Sequence, residues 1–336
     1  MKTVNIPGAS FPVSKICLGC ANFGTKTPAE TSFDILDFYF AQGGRFFNTA
    51  HEYGLGKSEQ ILGQWIRTRK NREQIIVTTK GGQDVTIPGN QDMRHDALIQ
   101  DMEESLRRLG IDHVDFYLLH MDDPSVRVEE ILETLEELVK AGKTRHYGCS
   151  NWSVERQREA AAYAKAHGLQ GFVIDEIEWS LAHNNHPQGR TGMRLDEHYI
   201  ALHEEDGICV GGYSPLASGF LNKLIADGDL RNCHYSTYRF INRYNFEIAN
   251  RLRKLSEETG FTPTQLQLAW LLNAPYRFPS FLIMGASRPE QLEDALRAFE
   301  IALPPEMIDH LHPPFFASPD DEEMARKFLD EKRPRR

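Results

Sequence analysis

Eight short apolar runs, rich in β-branched and aromatic residues, recur along the chain, and longer stretches with helical spacing lie between them. The runs are KICL from residue 15, FFNT from 46, IIVTT from 75, VDFYLL from 114, TRHYGC from 144, FVI from 172, ICVGGY from 208 and FLIM from 281. Alternation of this kind is typical of repeated βα units, which build a parallel sheet. It restricts the chain to the α/β class of folds.

The stretches between the runs carry apolar stripes at helical spacing. The stripes are Leu98, Met102, Leu106 and Leu109; Val128, Ile131, Leu132, Leu135, Leu138 and Val139; and Leu292, Ala295, Leu296 and Phe299. Eight strand–helix pairs in 336 residues predict a closed (β/α)8 TIM barrel rather than an open doubly wound sheet. The first run is not followed by a GxGxxG pattern. This also favours the barrel, because the dinucleotide-binding half of a Rossmann fold would carry that pattern there.

The composition does not change along the chain, so residues 1–336 are predicted to form a single domain. Within it, residues 1–14 are expected to form a hairpin that closes the barrel floor, and residues 313–336 a charged tail. Two connections, residues 180–195 and 214–245, are too long for simple turns. Long loops on a barrel usually build its pocket, so these two are expected to do so.

Charge and hydropathy exclude several classes of partner. The formal net charge of −10 argues against nucleic acid or an anionic membrane as the main partner. No apolar run approaches the ~20 residues needed to span a bilayer. The start, MKTVNIPGASF, lacks the apolar core of a signal peptide. We therefore expect a soluble, cytoplasmic protein.

Five cysteines, an odd number in a long chain, indicate reduced thiols. Cys17 and Cys20 form a CxxC, but no second pair exists and Cys17 lies in an apolar run, which favours a structural role. His183 and His186 have a suggestive spacing, yet Asn, Pro and Gly around them indicate a loop with exposed histidines, and no third ligand is apparent. No metal site is predicted.

Polar or aromatic side chains follow several of the predicted strands at the same end. They are Asn48 and Tyr53, Lys80, His120, Ser150 and Asn151, and Glu178 and Trp179. Taken singly, each has an ordinary explanation as a turn, loop or solvated residue. In a barrel, however, the carboxyl ends of the strands form the active site. As a set, these residues predict a functional site there.

Several stretches together resemble the aldo-keto reductase family, in the same order and over nearly the whole chain. They are FNTAHEYG, VTTKGG, FYLLHMDDP, GKTRHYGCSN, WSLA, YSPLASGFL and IMGASRPEQLEDAL. The resemblance implies a (β/α)8 barrel that binds NADP(H) or NAD(H) and transfers a hydride to or from a carbonyl carbon. It also implies a catalytic set of Asp, Tyr, Lys and His. In this set Tyr53 donates the proton, Lys80 tunes the pKa of Tyr53, and His120 orients the carbonyl oxygen.

The chemistry of those residue types agrees with these roles. A carbonyl that accepts hydride develops alkoxide charge, which needs a proton donor within hydrogen-bond reach. A phenol has an ordinary pKa of about 10, and a nearby ammonium favours its ionised form. Lys80 beside Tyr53 would supply that ammonium, and His120 a second hydrogen bond.

Asn48 departs from the family pattern, which has Asp at this position. The amide can still accept a hydrogen bond from Lys80, but it removes one negative charge. The positive charge of Lys80 is then expected to be less fully neutralised. As a result, either the pKa of Tyr53 falls or Lys80 loses its proton more readily. The alternative is that the chain has kept the fold and lost catalysis.

The resemblance also implies a set of cofactor contacts. Ser150 and Asn151 would contact the nicotinamide amide, Trp179 would stack on its ring, and Glu176 stands where a Gln commonly holds the carboxamide. Tyr213, Ser214, Leu216 and Ser218 would wrap the pyrophosphate, while Gly285, Ser287, Arg288, Gln291 and Asp294 would serve the adenosine end. The guanidinium of Arg288 suits a 2′-phosphate, which favours NADP over NAD. Asp294 and Ala295 replace the Glu-Asn that family members often show there.

The predicted mouth of the barrel mixes aromatic and hydrogen-bonding residues, which suits a sugar or a sugar-derived carbonyl. Its expected lining is Trp152, Trp179, the HNNHPQGR loop from residue 183 and RNCHYSTYRFINRYN from residue 231. Two other functions stay open: a redox-neutral sugar epimerase that retains NADP, and a non-catalytic subunit that senses the cofactor. The oligomeric state is not predicted.

Overall fold

The computed structural model describes residues 1–83, 87, 90–185, 188–189, 192–228, 230, 233, 235–311 and 319–332. The strands are β1 (Thr3–Asn5), β2 (Pro12–Ser14), β3 (Ile16–Gly19), β4 (Phe46–Asn48), β5 (Ile76–Gly81), β6 (Val114–Leu119), β7 (Thr144–Ser150), β8 (Ile174–Glu178), β9 (Gln188–Gly189), β10 (Gly192–Met193), β11 (Cys209–Tyr213) and β12 (Ser280–Gly285). The α-helices are α1 (Ala29–Ala41), α2 (Lys57–Arg69), α3 (His95–Leu109), α4 (Val128–Lys140), α5 (Val154–His167), α6 (Glu197–Asp206), α7 (Phe220–Asp227), α8 (Arg243–Thr259), α9 (Pro263–Leu272), α10 (Pro289–Leu296), α11 (Pro305–Leu311) and α12 (Pro319–Lys332).

Eight of these strands close into a barrel in the order β11-β12-β3-β4-β5-β6-β7-β8. The pairs from β12 through β3 to β8 are parallel, with Leu18 opposite Phe47 and Phe47 opposite Val77. The predicted (β/α)8 TIM barrel is thus confirmed. Because the strands are parallel, the side chains that follow them all lie at one end of the barrel.

All eight predicted runs contribute to barrel strands, but the sixth was misplaced. FVI at 172–174 was expected, whereas β8 begins at Ile174 and continues through Asp175, Glu176 and Glu178. Acidic residues are depleted in strands, which hid this element from the sequence pattern. All three acidic side chains are buried, and each is paired with a cationic or histidine side chain.

Backbone proximity groups the chain into two compact units. The first comprises Met1–Ile177, Leu195–Gly212 and Tyr276–Leu292, and it contains most of the barrel strands. The second comprises Glu178–Arg194, Tyr213–Pro275 and Glu293–Arg336, and its described residues include α7, α8, α9, α11 and α12. That residues 1–336 behave as one domain stays a prediction.

Aromatic rings fill the amino-terminal end of the barrel in the first unit. β1 and β2 pair as an antiparallel hairpin, with Val4 opposite Val13. Between them, the ring of Phe11 lies 5.8 Å from that of Phe116 and 6.0 Å from the imidazole of His146. These contacts place the hairpin against the early residues of β6 and β7.

The predicted helical stripes are largely buried. Leu98, Met102, Leu106 and Leu109 face inwards from α3, and α4 buries the stripe that begins at Val128. The long connection predicted at 214–245 was wrong in part, because it contains α7 and the start of α8. Gly219 and Gly228, both with positive φ, bound α7 and make its short sequence look like a loop.

The chain that follows α11 contains one more described helix, α12. Its Ala325 and Phe328 are buried, and the backbone N–H of Arg243 donates to Asp321 Oδ1 at 3.0 Å. The rest of the predicted tail, residues 313–318 and 333–336, lies outside the described residues. Among the residues that the structure does describe, no helix combines the length and the apolarity that a bilayer crossing demands.

Candidate active site

A lysine, an amide and a carboxylate form a closed triangle at the carboxyl ends of three barrel strands, β4, β5 and β8. Lys80 Nζ, near the end of β5, donates to Asn48 Oδ1 at 2.6 Å and lies 3.2 Å from Glu176 Oε2. Asn48 Nδ2, at the end of β4, donates to Glu176 Oε1 at 2.5 Å. Lys80 and Glu176 are each only 2% exposed. Each member of the triangle therefore contacts the other two without solvent between them.

The expected imbalance around Lys80 is not present, so that hypothesis was wrong. Burial lowers the pKa of Lys80, but the charge of Glu176 and the neighbouring Tyr53 outweigh this, and the net pKa lies above its ordinary value. Glu176 therefore supplies the negative charge that Asn48 lacks. Burial likewise raises the pKa of Glu176, against the opposing effect of Lys80.

Tyr53 and His120 lie beside this triangle. Lys80 Nζ is 5.1 Å from the centre of the Tyr53 ring, and the Tyr53 and His120 rings are 5.3 Å apart in an edge-to-face arrangement. Burial raises the pKa of the Tyr53 phenol, Lys80 opposes the rise, and Glu176 adds to it. The phenol is thereby kept in its protonated form. The structure thus brings together all four residues predicted as the catalytic set.

The turn that carries Tyr53 is anchored by a buried polar network. The backbone N–H of His51 donates to the Lys80 carbonyl at 2.9 Å. The His51 ring points towards α3, with Nδ1 3.2 Å from Asp101 Oδ1 and Nε2 3.6 Å from Glu104 Oε2. Arg108 Nη1 donates to the His51 carbonyl at 3.2 Å. His51 therefore holds the turn in place.

Glu52, which was not in the predicted set, contacts the predicted histidine. Its Oε1 lies 3.3 Å from His120 Nδ1. Burial lowers the pKa of His120 well below 6.5, and Lys80 lowers it further. Burial raises the pKa of Glu52, with Lys80 opposing. The only signal in the sequence was that Glu52 directly precedes Tyr53.

Ser150 and Asn151, predicted to contact the cofactor amide, lie at the end of β7. Ser150 Oγ donates to the Glu176 carbonyl at 2.8 Å, and Asn151 Nδ2 donates to Ser150 Oγ at 2.9 Å and to the His120 carbonyl at 3.2 Å. Asn151 has a left-handed backbone, with φ 59°. These bonds link the two residues to the ends of β6 and β8. Both oxygens of Glu176, the third predicted contact, are occupied by Asn48 and Lys80.

Six predicted cofactor residues belong to the second unit: Trp179, Tyr213, Ser214, Leu216, Ser218 and Asp294. Trp179 is buried there, and its backbone N–H donates to the Tyr213 carbonyl at 3.1 Å. Ser214 and Ser218 have left-handed backbones, with φ 53° and 58°, as does Ala217 between them, and Leu216 is half-buried. Left-handed non-glycine residues are energetically costly and concentrate at ligand-binding loops. The cofactor contacts of these residues stay predictions.

The residues predicted for the adenosine end are divided between the two units, with Asp294 in the second and the others in the first. Gly285 ends β12, and Gln291 Oε1 accepts hydrogen bonds from the Ser287 N–H at 2.8 Å and from Ser287 Oγ at 3.1 Å. Arg288 is 67% exposed, with Glu290 Oε2 3.9 Å from its Nε. In the second unit, Asp294 accepts hydrogen bonds from the side chains of Thr262 and Gln265 at the start of α9. These bonds give Asp294 a structural role there.

Trp152 does not line a pocket, contrary to the prediction. It is fully buried, its ring lies 5.1 Å from that of Phe172, and the guanidinium of Arg156 lies 5.1 Å above it. Packing against Phe172, which precedes β8, and under Arg156 of α5 explains this position. His183 is half-buried rather than exposed, since it packs near Tyr244 in the second unit.

Other predicted features lie outside the site or outside the described residues. His186, Pro187 and Arg190 of the HNNHPQGR loop, and Arg231, Asn232 and His234 of the following stretch, are not described. All five cysteines are free and buried. Within the described ranges no group of three or more metal-ligating side chains is gathered.

A closed (β/α)8 barrel that buries a lysine–carboxylate pair beside a tyrosine and a histidine is typical of a barrel enzyme with acid–base chemistry. The chain belongs to the aldo/keto reductase family, whose sequence profile matches residues 15–312. This confirms the resemblance drawn from the motifs.

Individual relatives differ in what their names describe. The chain is 29% identical to an aryl-alcohol dehydrogenase [NADP(+)] of Phanerodontia chrysosporium, over 91% of this chain and 83% of that protein. It is 30% identical to a putative voltage-gated potassium channel subunit beta of Schizosaccharomyces pombe, over 78% and 77%. The crystal structure of a thermostable aldo-keto reductase, Tm1743, solved with epalrestat, superposes with a TM-score of 0.70, at 24% identity over 93% of this chain and 99% of that one. At that identity the likeness concerns the fold alone.

Proposed function

We propose that the protein is an NADP(H)-dependent oxidoreductase that interconverts a carbonyl compound and its alcohol. The observation that carries the proposal is the gathering of Tyr53, Lys80 and His120 in one cluster, with Lys80 Nζ 5.1 Å and the His120 ring 5.3 Å from the Tyr53 ring. The bound nicotinamide would supply or accept the hydride. The chain's own residues would manage the proton and the carbonyl oxygen.

In the reducing direction, the Tyr53 hydroxyl would donate its proton to the carbonyl oxygen as alkoxide charge develops. Lys80, held protonated by Glu176, would stabilise the phenolate that Tyr53 becomes. His120, whose ring contacts that of Tyr53 edge to face, would contribute a second hydrogen bond to the same oxygen. Since burial raises the pKa of Tyr53, the phenol carries its proton at neutral pH and is ready to donate it.

The donor chemistry fits a dinucleotide phosphate. Ser150 and Asn151 place a hydroxyl and an amide at the end of β7, suited to a carboxamide. Within the described residues, the exposed guanidinium of Arg288 has one ion-pair contact, a long one with Glu290, so it can pair with a 2′-phosphate. In the second unit, Ser214 and Ser218 would contribute hydroxyls and backbone N–H groups to the pyrophosphate.

For the substrate we propose a sugar or a sugar-derived aldehyde or ketone. The support is the sequence between residues 231 and 245, where tyrosines, arginines and asparagines alternate. The described side chains there keep this polar character: Arg239 Nη2 lies 3.1 Å from Glu178 Oε1, and Asn242 Nδ2 donates to Asn185 Oδ1 at 2.6 Å. Because one relative is named for an aryl alcohol, aryl aldehydes are the comparison class in a screen.

The first test is a titration of the purified protein with NADPH and with NADH, followed by tryptophan emission. Four tryptophans contribute to that emission. We expect tight binding of NADPH and weaker binding of NADH. The quenching should disappear in Trp179→Phe and persist in Trp65→Phe, because Trp65 lies on α2. Binding of neither nucleotide would refute the proposal.

The second test is a screen of aldoses, ketoses and aryl aldehydes with NADPH, repeated with Tyr53→Phe. We expect this variant to keep its affinity for NADPH and to lose about 10²- to 10⁴-fold in kcat. Equal turnover by both proteins would remove Tyr53 from the mechanism. Protein that purifies with bound NADP and shows no net turnover would favour the epimerase instead.

The one alternative that the comparisons favour is a non-catalytic subunit, since a relative is named as a channel subunit. Such a subunit would bind NADPH without turnover, and Tyr53→Phe would change nothing. The buried Lys80–Glu176 pair favours the enzyme, because a protonated lysine beside Tyr53 is suited to stabilise the phenolate that proton donation leaves.

A further inference from the structure

Among the described residues, three oxygens lie within 3.2 Å of the Lys80 ammonium, and one of them belongs to a carboxylate. Besides Asn48 Oδ1 at 2.6 Å and Glu176 Oε2 at 3.2 Å, the Thr49 carbonyl accepts at 3.1 Å. In the described part of the chain, Glu176 is the one carboxylate paired with Lys80. An ammonium that is 2% exposed needs such a partner to stay protonated.

The contacts of the triangle are symmetric with respect to an exchange of amide and carboxylate. Asn48 offers its oxygen to Lys80 and its N–H to Glu176, while Glu176 offers one oxygen to each. With Asp at 48 and Gln at 176, the carboxylate at 48 would bind Lys80 and accept from the amide at 176, whose own oxygen would face Lys80. The shapes, the number of hydrogen bonds and the total charge would all be unchanged.

We propose that Glu176 is a positioning residue of the proposed reaction, which holds Lys80 protonated and directed at Tyr53. We further infer that Asn48 and Glu176 act as one unit whose single negative charge can be carried by either member. The proposal rests on the proposed function for the role of Tyr53. The charge arrangement itself rests only on the contacts around Lys80.

Glu176→Gln leaves the ammonium buried without a counter-charge. Lys80 should then hold its proton less firmly. As long as Lys80 is protonated, Tyr53 should ionise at lower pH, because the nearby carboxylate that opposes ionisation is gone. We expect kcat near pH 7 to fall about tenfold or more, and the alkaline limb of the kcat/KM profile to move down by about one to three pH units.

The decisive variant is the exchange Asn48→Asp with Glu176→Gln in one chain. We expect it to recover most of the kcat lost in Glu176→Gln, the position of the alkaline limb and the melting temperature. A folded exchange variant no more active and no more stable than Glu176→Gln would overturn the proposal. So would a Glu176→Gln profile that superimposes on that of the wild type.

Asp115→Asn is the matched control for the loss of a buried carboxylate. Asp115 is buried near the start of β6, 3.1 Å from Arg72 and 3.5 Å from Arg145, at the opposite end of the strand from His120. This variant should lower the melting temperature without moving the alkaline limb. A limb that moved equally in Asp115→Asn would mean that general destabilisation explains the Glu176 result, against the proposal.

A readout that needs no turnover separates this proposal from the proposed function. The ionisation of Tyr53 can be followed by ultraviolet difference absorbance against Tyr53→Phe in each background. The Tyr53 signal should move to lower pH in Glu176→Gln and return in the exchange variant. An inactive wild type would refute the proposed function alone. An unmoved Tyr53 signal would refute the inference that Asn48 and Glu176 act as one charge unit, whether or not the protein turns over.

Discussion

Nδ1 of His120 lies 3.3 Å from Oε1 of Glu52, and the two groups have opposite shifts of pKa. Burial lowers the pKa of the imidazole, and burial raises that of the carboxyl. Both shifts favour the neutral forms. A neutral imidazole has a single N–H, so His120 can donate from Nε2 to a substrate only when Nδ1 carries no proton. A hydrogen-bond donor at position 52 would hold the imidazole in that tautomer.

Glu52→Gln should therefore preserve turnover, since its side-chain amide can donate to Nδ1 and keep the proton of the imidazole on Nε2. Glu52→Leu has a similar size and no donor, and we expect its kcat to fall about tenfold. The comparison is made by steady-state reduction of one carbonyl substrate at several pH values. Equal rates for the Leu and Gln variants would show that Glu52 does not set the tautomer of His120.

The buried His120 should also weaken the fold in acid. Its pKa in the folded protein lies well below 6.5, so the unfolded chain takes up a proton first as the pH falls. This group then costs up to about 1.4 kcal/mol of unfolding free energy per pH unit below about pH 6.5. In urea unfolding, the unfolding free energy of the wild type should fall relative to that of His120→Gln as the pH is lowered.

His95 provides a control of opposite sign. It lies on the surface between Glu137 and Asp96, which raise its pKa. Its contribution is therefore present at low pH and lost as the pH rises through the folded pKa. The difference between wild type and His95→Gln should favour the wild type more in acid. The same trend in both variants would contradict the assignment for His120.

Asn48→Asp alone should place two carboxylates around one ammonium. The added charge further favours protonated Lys80 and disfavours ionised Tyr53, so the alkaline limb of the pH–rate profile should move up by about one unit. A profile recorded from neutral to alkaline pH checks this. Coincidence of the variant and wild-type profiles would mean that Asn48 has no electrostatic influence on the pair.

Arg288→Met tests the proposed 2′-phosphate contact. Loss of a charge-assisted bond should weaken NADPH binding by about tenfold and leave NADH binding unchanged. The control is Arg297→Met, which removes another exposed arginine, one paired with Glu293 at 3.4 Å. Fluorescence titration of both nucleotides provides the measurement. Equal loss for NADPH and NADH would assign Arg288 a role other than reading the phosphate.

Gly63 marks the closest approach of α2 to the end of α3. A Cβ at this position would lie 2.4 Å from the Leu109 carbonyl oxygen and 2.7 Å from that of Arg108. Because both are backbone atoms, Gly63→Ala must push the helices apart, and we expect a loss of about 1–3 kcal/mol in unfolding free energy. Gln64→Ala, exposed on the same helix, should stay within about 0.5 kcal/mol. Similar urea midpoints for the two variants would contradict this packing argument.

The barrel was predictable because the alternation of strands and helices is a local pattern, repeated eight times. β8 was misplaced for a physical reason: Asp175, Glu176 and Glu178 make it look like a loop, and only their partners elsewhere in the chain make a buried strand tolerable. The helices within 214–245 were missed because α7 is short and flanked by glycines.

The site was predictable as a set of strand-end residues, but their pairings were not. The gathering of Tyr53, Lys80 and His120 follows from the parallel strands. That Glu176 pairs with Lys80 depends on which side chains of distant strands face each other, and residue types alone led to the wrong conclusion about the charge on Lys80. The contact of Glu52 with His120 depends on the path of the turn after β4, which no spacing rule describes.

The triangle of Asn48, Lys80 and Glu176 also constrains how such a sequence can change over generations. A lineage that moves the acid from one position to the other by single substitutions must pass through a protein with two acids around the lysine or with none. The first intermediate buries an excess negative charge, and the second buries the Lys80 ammonium without a counter-charge. Both are therefore disfavoured relative to the two arrangements with a single acid. Descendants of this chain should therefore vary at positions 48 and 176 together, or at neither.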